Sequence, residues 1–463
     1  MKIVGLLSLF FALAFGSGDA AGEALNLTTT WVGIASLIIF VVGYFFIATE
    51  ENFHIDKAKP AIFIGTFMFL LIGFYMLANG LDVHLLQNEV NHLILEISQI
   101  VFFLMVAMTY IEALIERDVF NALKYNLVSK GYTYKRLFWL TGVLAFFISP
   151  VADNLTTALI LSTVLLTIDR NNTNFLVAGA INIVVAANAG GAWSPFGDIT
   201  TLMAWAAGKA PFIDFFALFP ASFIGWLVTA FLLARIVPAG SPHFDPATEP
   251  KVSIKKGGKV VIGLGAFTIF SAVMMHQLFH LPAMWGMMFG FSLLSIYTYI
   301  YKKTNKNEEP MHVFHYMSKI ENNTLFFFFG ILAAVGALHF VGFLNYAVSL
   351  YDKFGATTVN IGVGFLSAIV DNVPVMSAVL KANPMMGADA GENLSQWLLV
   401  TLTAGIGGSM ISFGSAAGVG VMGKLKGIYT FGAHMKYAWT VVAGYIVSVV
   451  IWYIQFEIFH LYF

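Results

Sequence analysis

The chain has 463 residues, 59% of them hydrophobic and 11% charged, with a mean hydropathy of +0.81 and a formal net charge of −1. A soluble globular domain carries about 25% charged residues, so an ordinary soluble domain is excluded. The near-neutral charge argues against nucleic acid as a partner, and the lack of cysteine excludes disulfides, thiolate metal sites and cysteine nucleophiles.

Residues 1–22 have the layout of a secretory signal peptide: Lys2, an apolar stretch from Ile3 to Phe15, then small residues from Gly16 to Ala21. An uncleaved first helix is the alternative. Beyond it, apolar runs predict an all-α polytopic membrane protein. Spans are expected at 31–49, 61–79, 93–115, 175–207, 211–236, 259–277, 282–300, 323–349, 394–423 and 433–458. A run of roughly 20 apolar residues is what a bilayer core requires. The stretches 116–130 and 311–320 read as amphipathic helices at the membrane interface.

Two further apolar stretches, 136–168 and 357–381, do not read as spans. The first is too long for one crossing at about 1.5 Å per residue. It is interrupted by Ser149-Pro150-Val151-Ala152-Asp153-Asn154 and flanked by Lys135, Arg136, Asp169 and Arg170. Proline cannot continue the helical ladder, and a carboxylate is costly in lipid. A re-entrant hairpin, entering and leaving on one side, fits better. With the N-terminus of the mature chain outside, 20 of the 24 Lys and Arg residues fall inside, leaving Lys209, Lys353 and Lys381 outside and Lys2 in the signal. Cytoplasmic loops are expected to hold that excess.

An internal repeat carries the strongest signal. Phe147-x-Ser149-x-x-x-Asp153-Asn154 recurs as Phe365-x-Ser367-x-x-x-Asp371-Asn372, and Gly190–Gly197 recurs as Gly407–Gly414 at nearly the same offset. The first hairpin enters from inside and the second from outside, so the halves are inverted, an architecture common among secondary transporters. Each half then offers two interruptions: a hairpin tip and a glycine-rich break in the next span. The division that follows is a signal segment 1–22, a first scaffold part 23–134, a first transport repeat 135–237, a linker and second scaffold part 238–356, and a second transport repeat 357–463.

Glycine and proline supply irregular backbone at the breaks, through Gly190, Gly191, Gly197, Gly407, Gly408 and Gly414, while Asn, Ser and Thr supply uncharged oxygens. The charged residues at the breaks are Asp153, Asp198 and Asp371, with no Lys or Arg. Hard cations prefer such oxygen ligands, whereas an anion would face basic side chains or bare helix N-termini. Desolvation disfavours a charged carboxylate and a bound cation favours it, so one group can hold either a proton or a metal ion. The simpler readings are weaker: a lone membrane aspartate can be structural, and glycine pairs can merely let helices pack closely. The many phenylalanines read as lipid-facing filler. His339 and His276 each stand alone and read as packed or interfacial, and Glu112 and Glu116 as snorkelling side chains at the inner end of a span.

At these motifs the chain resembles the NhaD-type sodium:proton antiporters, of the ion transporter superfamily that also holds arsenite, citrate and dicarboxylate carriers. The resemblance rests on Ser149–Thr157, Gly190–Thr201 and Ser367–Pro374 and runs over nearly the whole chain after the signal. Dicarboxylate carriers of the superfamily have Ser-Asn-Thr at the hairpin tips; here an Asp precedes the Asn at both, as in the cation-exchanging branch. The resemblance implies that Asp153, Asn154, Thr156, Asn188, Asp198, Thr200, Thr201, Ser367, Asp371, Asn372, Ser409 and Ser412 serve binding and exchange, with sodium held through Asp153, Asp198 and Asp371. It also implies a homodimer in a bacterial inner membrane, a transport domain that moves against a scaffold, and no cofactor beyond the transported Na+, Li+ and H+. Asp198 becomes Ser415 and Thr200 becomes Ala417 in the second repeat, so the halves are not equivalent, and which one holds the ion is open.

The leading expectation is a sodium and lithium antiporter driven by inward proton flow. The alternative is a sodium-coupled carrier of a small neutral or anionic solute, for which backbone amides would have to suffice. An intramembrane aspartyl protease would need Tyr-Asp and Gly-x-Gly-Asp, but Pro195-Phe196-Gly197-Asp198 lacks the first glycine and neither tip has Tyr before Asp. A channel suits inverted hairpins less well than a gated carrier.

Overall fold

The computed structural model describes residues 25–53, 55–242 and 251–460; the expected signal segment lies outside them. In lipid every backbone polar group must be satisfied within the protein, which leaves helices as the way for so apolar a chain to fold. Among the described residues nine helices are long and apolar enough to cross a membrane.

In chain order the helices are α1 (Trp31–Ala48), α2 (Ala58–Ala78), α3 (Val83–Glu116), α4 (Val119–Val128), α5 (Tyr134–Ala152), α6 (Asn154–Ile168), α7 (Thr173–Gly191) and α8 (Ile199–Ala206). A 3-10 turn leads into α9 (Phe219–Leu233), followed by α10 (Gly258–Phe279), α11 (Ala283–Thr304), α12 (Val313–Lys319), α13 (Asn322–Val341) and α14 (Asn345–Phe354). The last six are α15 (Ala356–Ser367), α16 (Asn372–Ala382), α17 (Ala390–Gly407), α18 (Ala416–Lys424), α19 (Phe431–Met435) and α20 (Ala438–Tyr453). Three expected boundaries change most. The last span, expected at 433–458, begins at Ala438 after the separate short helix α19. The span expected at 323–349 ends at Val341, because Gly342 takes a left-handed φ of 104° and a separate helix, α14, follows. The third span begins earlier than expected, at Val83. The 136–168 stretch does divide, into α5 and α6, although α5 is itself among the helices long enough to cross.

The chain forms two compact units. One comprises, of the described residues, those from 25 to 101 with 321–360 and 373–396. In it α2 packs on α13 through small residues; a Cβ on Gly65 would come within 2.9 Å of the Ala333 Cβ, the close backbone approach that membrane helices favour.

The other unit comprises residues 102–320, 361–372 and 397–463 and holds both repeat motifs. Here α5 packs on α7, α9 on α20 and α10 on α11. Every residue of α7 from Phe175 to Gly191 is buried. A helix buried on all faces has protein rather than lipid around it, so α7 is the axis on which the breaks are arranged. At the end of α3, Arg117 is buried beside Glu309 at 3.5 Å, and Lys255 reaches both Glu309 (3.0 Å) and Asp118 (3.3 Å). Lys255 holds the Glu309 carboxyl below its ordinary range. Glu116 is not simply snorkelling: it pairs with Lys319 of α12 at 3.2 Å.

Candidate functional site

The repeat seen in the sequence is a repeat in space. In the first half, Ser149 Oγ donates to the carbonyl of Ala187 at 2.6 Å; in the second, Ser367 Oγ donates to that of Ala404 at 2.6 Å. Gly190 lies against the Phe146 backbone as Gly407 lies against the Gly364 backbone, so a side chain at either would strike a hairpin arm. The next glycine of each pair closes the break on itself. A Cβ on Gly191 would stand 2.5 Å from the Gly197 carbonyl oxygen, and one on Gly408 would stand 2.6 Å from that of Gly414. The two readings of the glycine pairs therefore both hold: the first member allows close packing and the second allows the break.

Both breaks are real interruptions. Helix α7 ends at Gly191 and α8 begins at Ile199; α17 ends at Gly407 and α18 begins at Ala416. At the first tip a single residue, Asp153, separates α5 from α6, with φ 56° and ψ 162°. That conformation is foreign to a residue with a Cβ and costs on the order of 1–3 kcal/mol unless its surroundings hold it. Its carboxylate does so, accepting from Thr156 N and Thr156 Oγ1, each at 2.8 Å.

Two polar networks fill the region between the tips and the breaks. In the first, Asn154 donates to Asn188 Oδ1 at 3.0 Å, and Asn188 donates to Ser409 Oγ at 2.7 Å and Ser415 Oγ at 2.9 Å. In the second, Asn372 donates to both carboxylate oxygens of Asp198, at 3.0 and 3.3 Å. The tip of each half thus reaches the break of the other, one directly and one through Asn188. Asp198 caps α8, accepting from Thr200 N at 3.3 Å, and its backbone carbonyl accepts from Thr201 Oγ1 at 2.6 Å. Asp198 is 3% exposed, and Asp371 and Asp153 stand close enough for their charges to act on it. The hydroxyls of Thr200 and Ser412 are buried without a hydrogen-bond partner among the described residues.

Asn154, Asn188, Asp198, Thr200, Thr201, Asn372 and Ser409 are therefore brought together. Thr156 serves Asp153 at the tip, and Ser367 anchors its hairpin arm to α17. Sequence reasoning missed Ser415, although its place opposite Asp198 in the repeat was visible, and it missed His434. That histidine is fully buried in the segment joining α18 to α20. Its Nε2 lies 3.1 Å from the Met410 carbonyl, and its Nδ1 lies 2.7 Å from the Tyr429 hydroxyl. The carbonyl can only accept, so Nε2 carries the proton and Nδ1 accepts from Tyr429. The two histidines that were singled out are not isolated: His339 lies 3.5 Å from Glu89, and His276 contacts the Leu281 carbonyl and the ring of Trp205.

Comparison with known proteins agrees with this architecture. A family model described as citrate transporter matches residues 44–405. A "Na(+)/H(+) antiporter NhaD" of Vibrio cholerae is 41% identical, with 96% of this chain and 96% of the relative covered. One from Alkalimonas amylolytica is 39% identical over 99% of this chain and 98% of its own length. "Sodium/proton antiporter 1" of Arabidopsis thaliana is 29% identical over 90% of this chain and 72% of its own. Likeness of this extent means that the chain belongs to the NhaD family of antiporters.

Proposed function

We propose that this protein exports sodium, and lithium, across a bacterial inner membrane in exchange for inward-moving protons. The observation that carries the reading is Asp198, a carboxylate 3% exposed whose side-chain partner is an amide. No Lys or Arg stands at either tip or either break. An uncompensated charge buried in low dielectric is costly, so the group is expected to hold a proton or a cation at all times. Entry of one requires departure of the other, and that exclusion is what couples two opposed fluxes.

Alternating access then exposes Asp198 with Asp153, Asp371 and the surrounding Asn, Ser and Thr oxygens to one side at a time. In this reading the transport repeats, 135–237 and 357–463, move against the scaffold parts 23–134 and 238–356, and two chains form a homodimer. The family model's description keeps a second reading in view, a sodium-coupled carrier of a carboxylic acid. It would have to bind an anion beside three aspartates without a basic side chain.

The deciding experiment uses purified protein in liposomes with an internal pH dye, challenged with sodium, lithium, potassium and succinate. Sodium-dependent proton movement without succinate supports antiport. Sodium movement that requires succinate or citrate supports the carrier.

A further inference from the structure

Asn188 and Gly405 occupy equivalent positions in the two repeats, at the same offset that relates Gly190 to Gly407 and Asp198 to Ser415. The first position is filled by an amide that bridges Asn154 to Ser409 and Ser415. The second has no side chain, and packing does not require that. A Cβ at Gly405 would lie 3.4 Å from Asp198 Oδ2, 3.7 Å from the Ala192 Cβ and 3.8 Å from Thr200 Oγ1. Those are ordinary contacts, unlike the collisions that explain Gly190, Gly191, Gly407 and Gly408. Gly405 lies within helix α17 with no left-handed φ, so its backbone does not call for glycine either.

The space it leaves is bordered by a carboxylate oxygen and by a hydroxyl oxygen. Thr200 Oγ1 is fully buried and has no hydrogen-bond partner among the described residues. Buried polar groups without partners are rare, and each calls for an explanation such as an ion. Here the carboxylate, the unmatched hydroxyl and the missing side chain converge on one volume, and oxygen ligands of this kind suit a hard monovalent cation.

We propose that Gly405 is the size determinant of the cation site: the transported ion lies between α17 and the Asp198 carboxylate, ligated by Asp198 Oδ2 and Thr200 Oγ1, in room that any side chain at position 405 would take. This rests on the antiport reading and assigns the ion to the break of the first repeat, with the second repeat contributing the glycine that admits it. A methyl group in van der Waals contact with the carboxylate trims the volume without displacing protein atoms. The larger ion is penalised more than the smaller one.

The test is Gly405→Ala in the full-length protein, reconstituted and assayed for sodium- and lithium-driven proton movement. Alanine is the better helix former, so a loss of folding is not expected. The apparent KM for sodium should rise about tenfold or more, the scale on which one carbon discriminates in a fitted pocket. The KM for lithium should rise less, so that the lithium-to-sodium preference shifts towards lithium. Thr200→Val, which removes the oxygen and keeps the shape, should raise the sodium KM, and Thr200→Ser should restore it. Unchanged KM values in Gly405→Ala overturn the inference while leaving antiport intact. Equal loss of both ions in a folded variant also overturns it, because a merely structural glycine does not distinguish ion size. A wild-type protein without sodium-dependent proton movement would bring down the antiport reading itself.

Discussion

In the first break the residue capping the next helix is Asp198; at the equivalent place in the second break it is Ser415. Their backbones are almost superimposable in conformation, φ −146° and ψ 150° against φ −145° and ψ 153°. Each side chain accepts from a backbone N–H of its own helix, Asp198 from Thr200 and Ser415 from Gly418, both at 3.3 Å. Serine therefore does all that the backbone asks of this position. The charge at 198 exceeds the structural requirement, and in a membrane interior an unneeded charge is a functional one. The neighbours diverge in the same sense. Beside Asp198 lie an unmatched threonine hydroxyl and a glycine, whereas beside Ser415 lies Asn188, which satisfies Ser409 and Ser415 directly. The second break keeps an unmatched hydroxyl as well, at Ser412, so the halves differ in the charge and in the glycine rather than in the unmatched oxygen.

The largest effect is expected at the two caps. Asp198→Asn keeps the shape, and the amide oxygen can still cap α8, but the exchangeable charge is gone. Exchange should fall by about a hundredfold or more, corresponding to about 2.8 kcal/mol at 1.4 kcal/mol per decade. Ser415→Ala should cost about 1 kcal/mol of stability as a lost cap and only a small fraction of the transport rate. Proteoliposome flux and thermal melting of the same preparations measure both. If Ser415→Ala proved the more damaging to transport, the ion would belong to the second half.

The tips come next. Asp153→Asn retains an acceptor for Thr156 N but not for both Thr156 donors, and Asp371→Asn removes a charge acting on Asp198. Loss of exchange by about tenfold or more is expected in each, the size of one charge-assisted hydrogen bond at about 1.5–3 kcal/mol. Near-normal exchange in both would dismiss carboxylate competition at the tips.

Much of this is legible in the sequence. The spans follow from apolar run length, and the breaks follow from glycines and prolines placed where a helix should continue. The offset between Ser149-x-x-x-Asp153 and Ser367-x-x-x-Asp371 made the two serines equivalent but did not show that each holds a helix carbonyl. What the sequence could not reveal was cross-connection. That Asn372 serves Asp198, and Asn154 serves the second break through Asn188, depends on how two inverted halves interlock, and no local pattern encodes it. The end of α13 at Val341 was missed because apolar residues continue past Gly342 and composition does not record a left-handed turn. His434 was passed over because its partners, a backbone carbonyl and a tyrosine, leave no motif.

The proposed competition at Asp198 also predicts the sign of a pH effect. Protonation neutralises the ligand, so the apparent sodium affinity must fall as pH drops, and by reciprocity sodium must displace protons. Calorimetric titration at several pH values, with released protons counted through buffers of different ionisation enthalpy, measures both sides. A sodium affinity that stayed flat while transport changed would locate pH control elsewhere, with the His339–Glu89 pair as the first place to look.

The smallest expected effect concerns how the second break is held. In the first half, Phe212 packs on Phe196 and Trp205; at the corresponding place in the second half, Tyr429 and His434 hold the Met410 carbonyl by hydrogen bonds. Burial lowers the pKa of the His434 imidazole from 6.5 to about 4. The folded protein therefore keeps His434 neutral at a pH where the unfolded chain would protonate it. Between those two values the unfolded state binds the extra proton, so stability rises with pH. His434 is stabilising in full above about 6.5 and progressively less so as pH falls towards about 4. His434→Gln preserves a donor for the Met410 carbonyl but does not titrate. It should lower the melting temperature at neutral pH by only a few degrees, as expected for about 1 kcal/mol, and it should flatten part of the decline in stability between pH 6.5 and 4. Tyr429→Phe should give the same modest loss at neutral pH and leave that decline in place, since the imidazole remains. A variant pair that changed the acid decline equally would mean that Tyr429, and not burial alone, keeps His434 neutral.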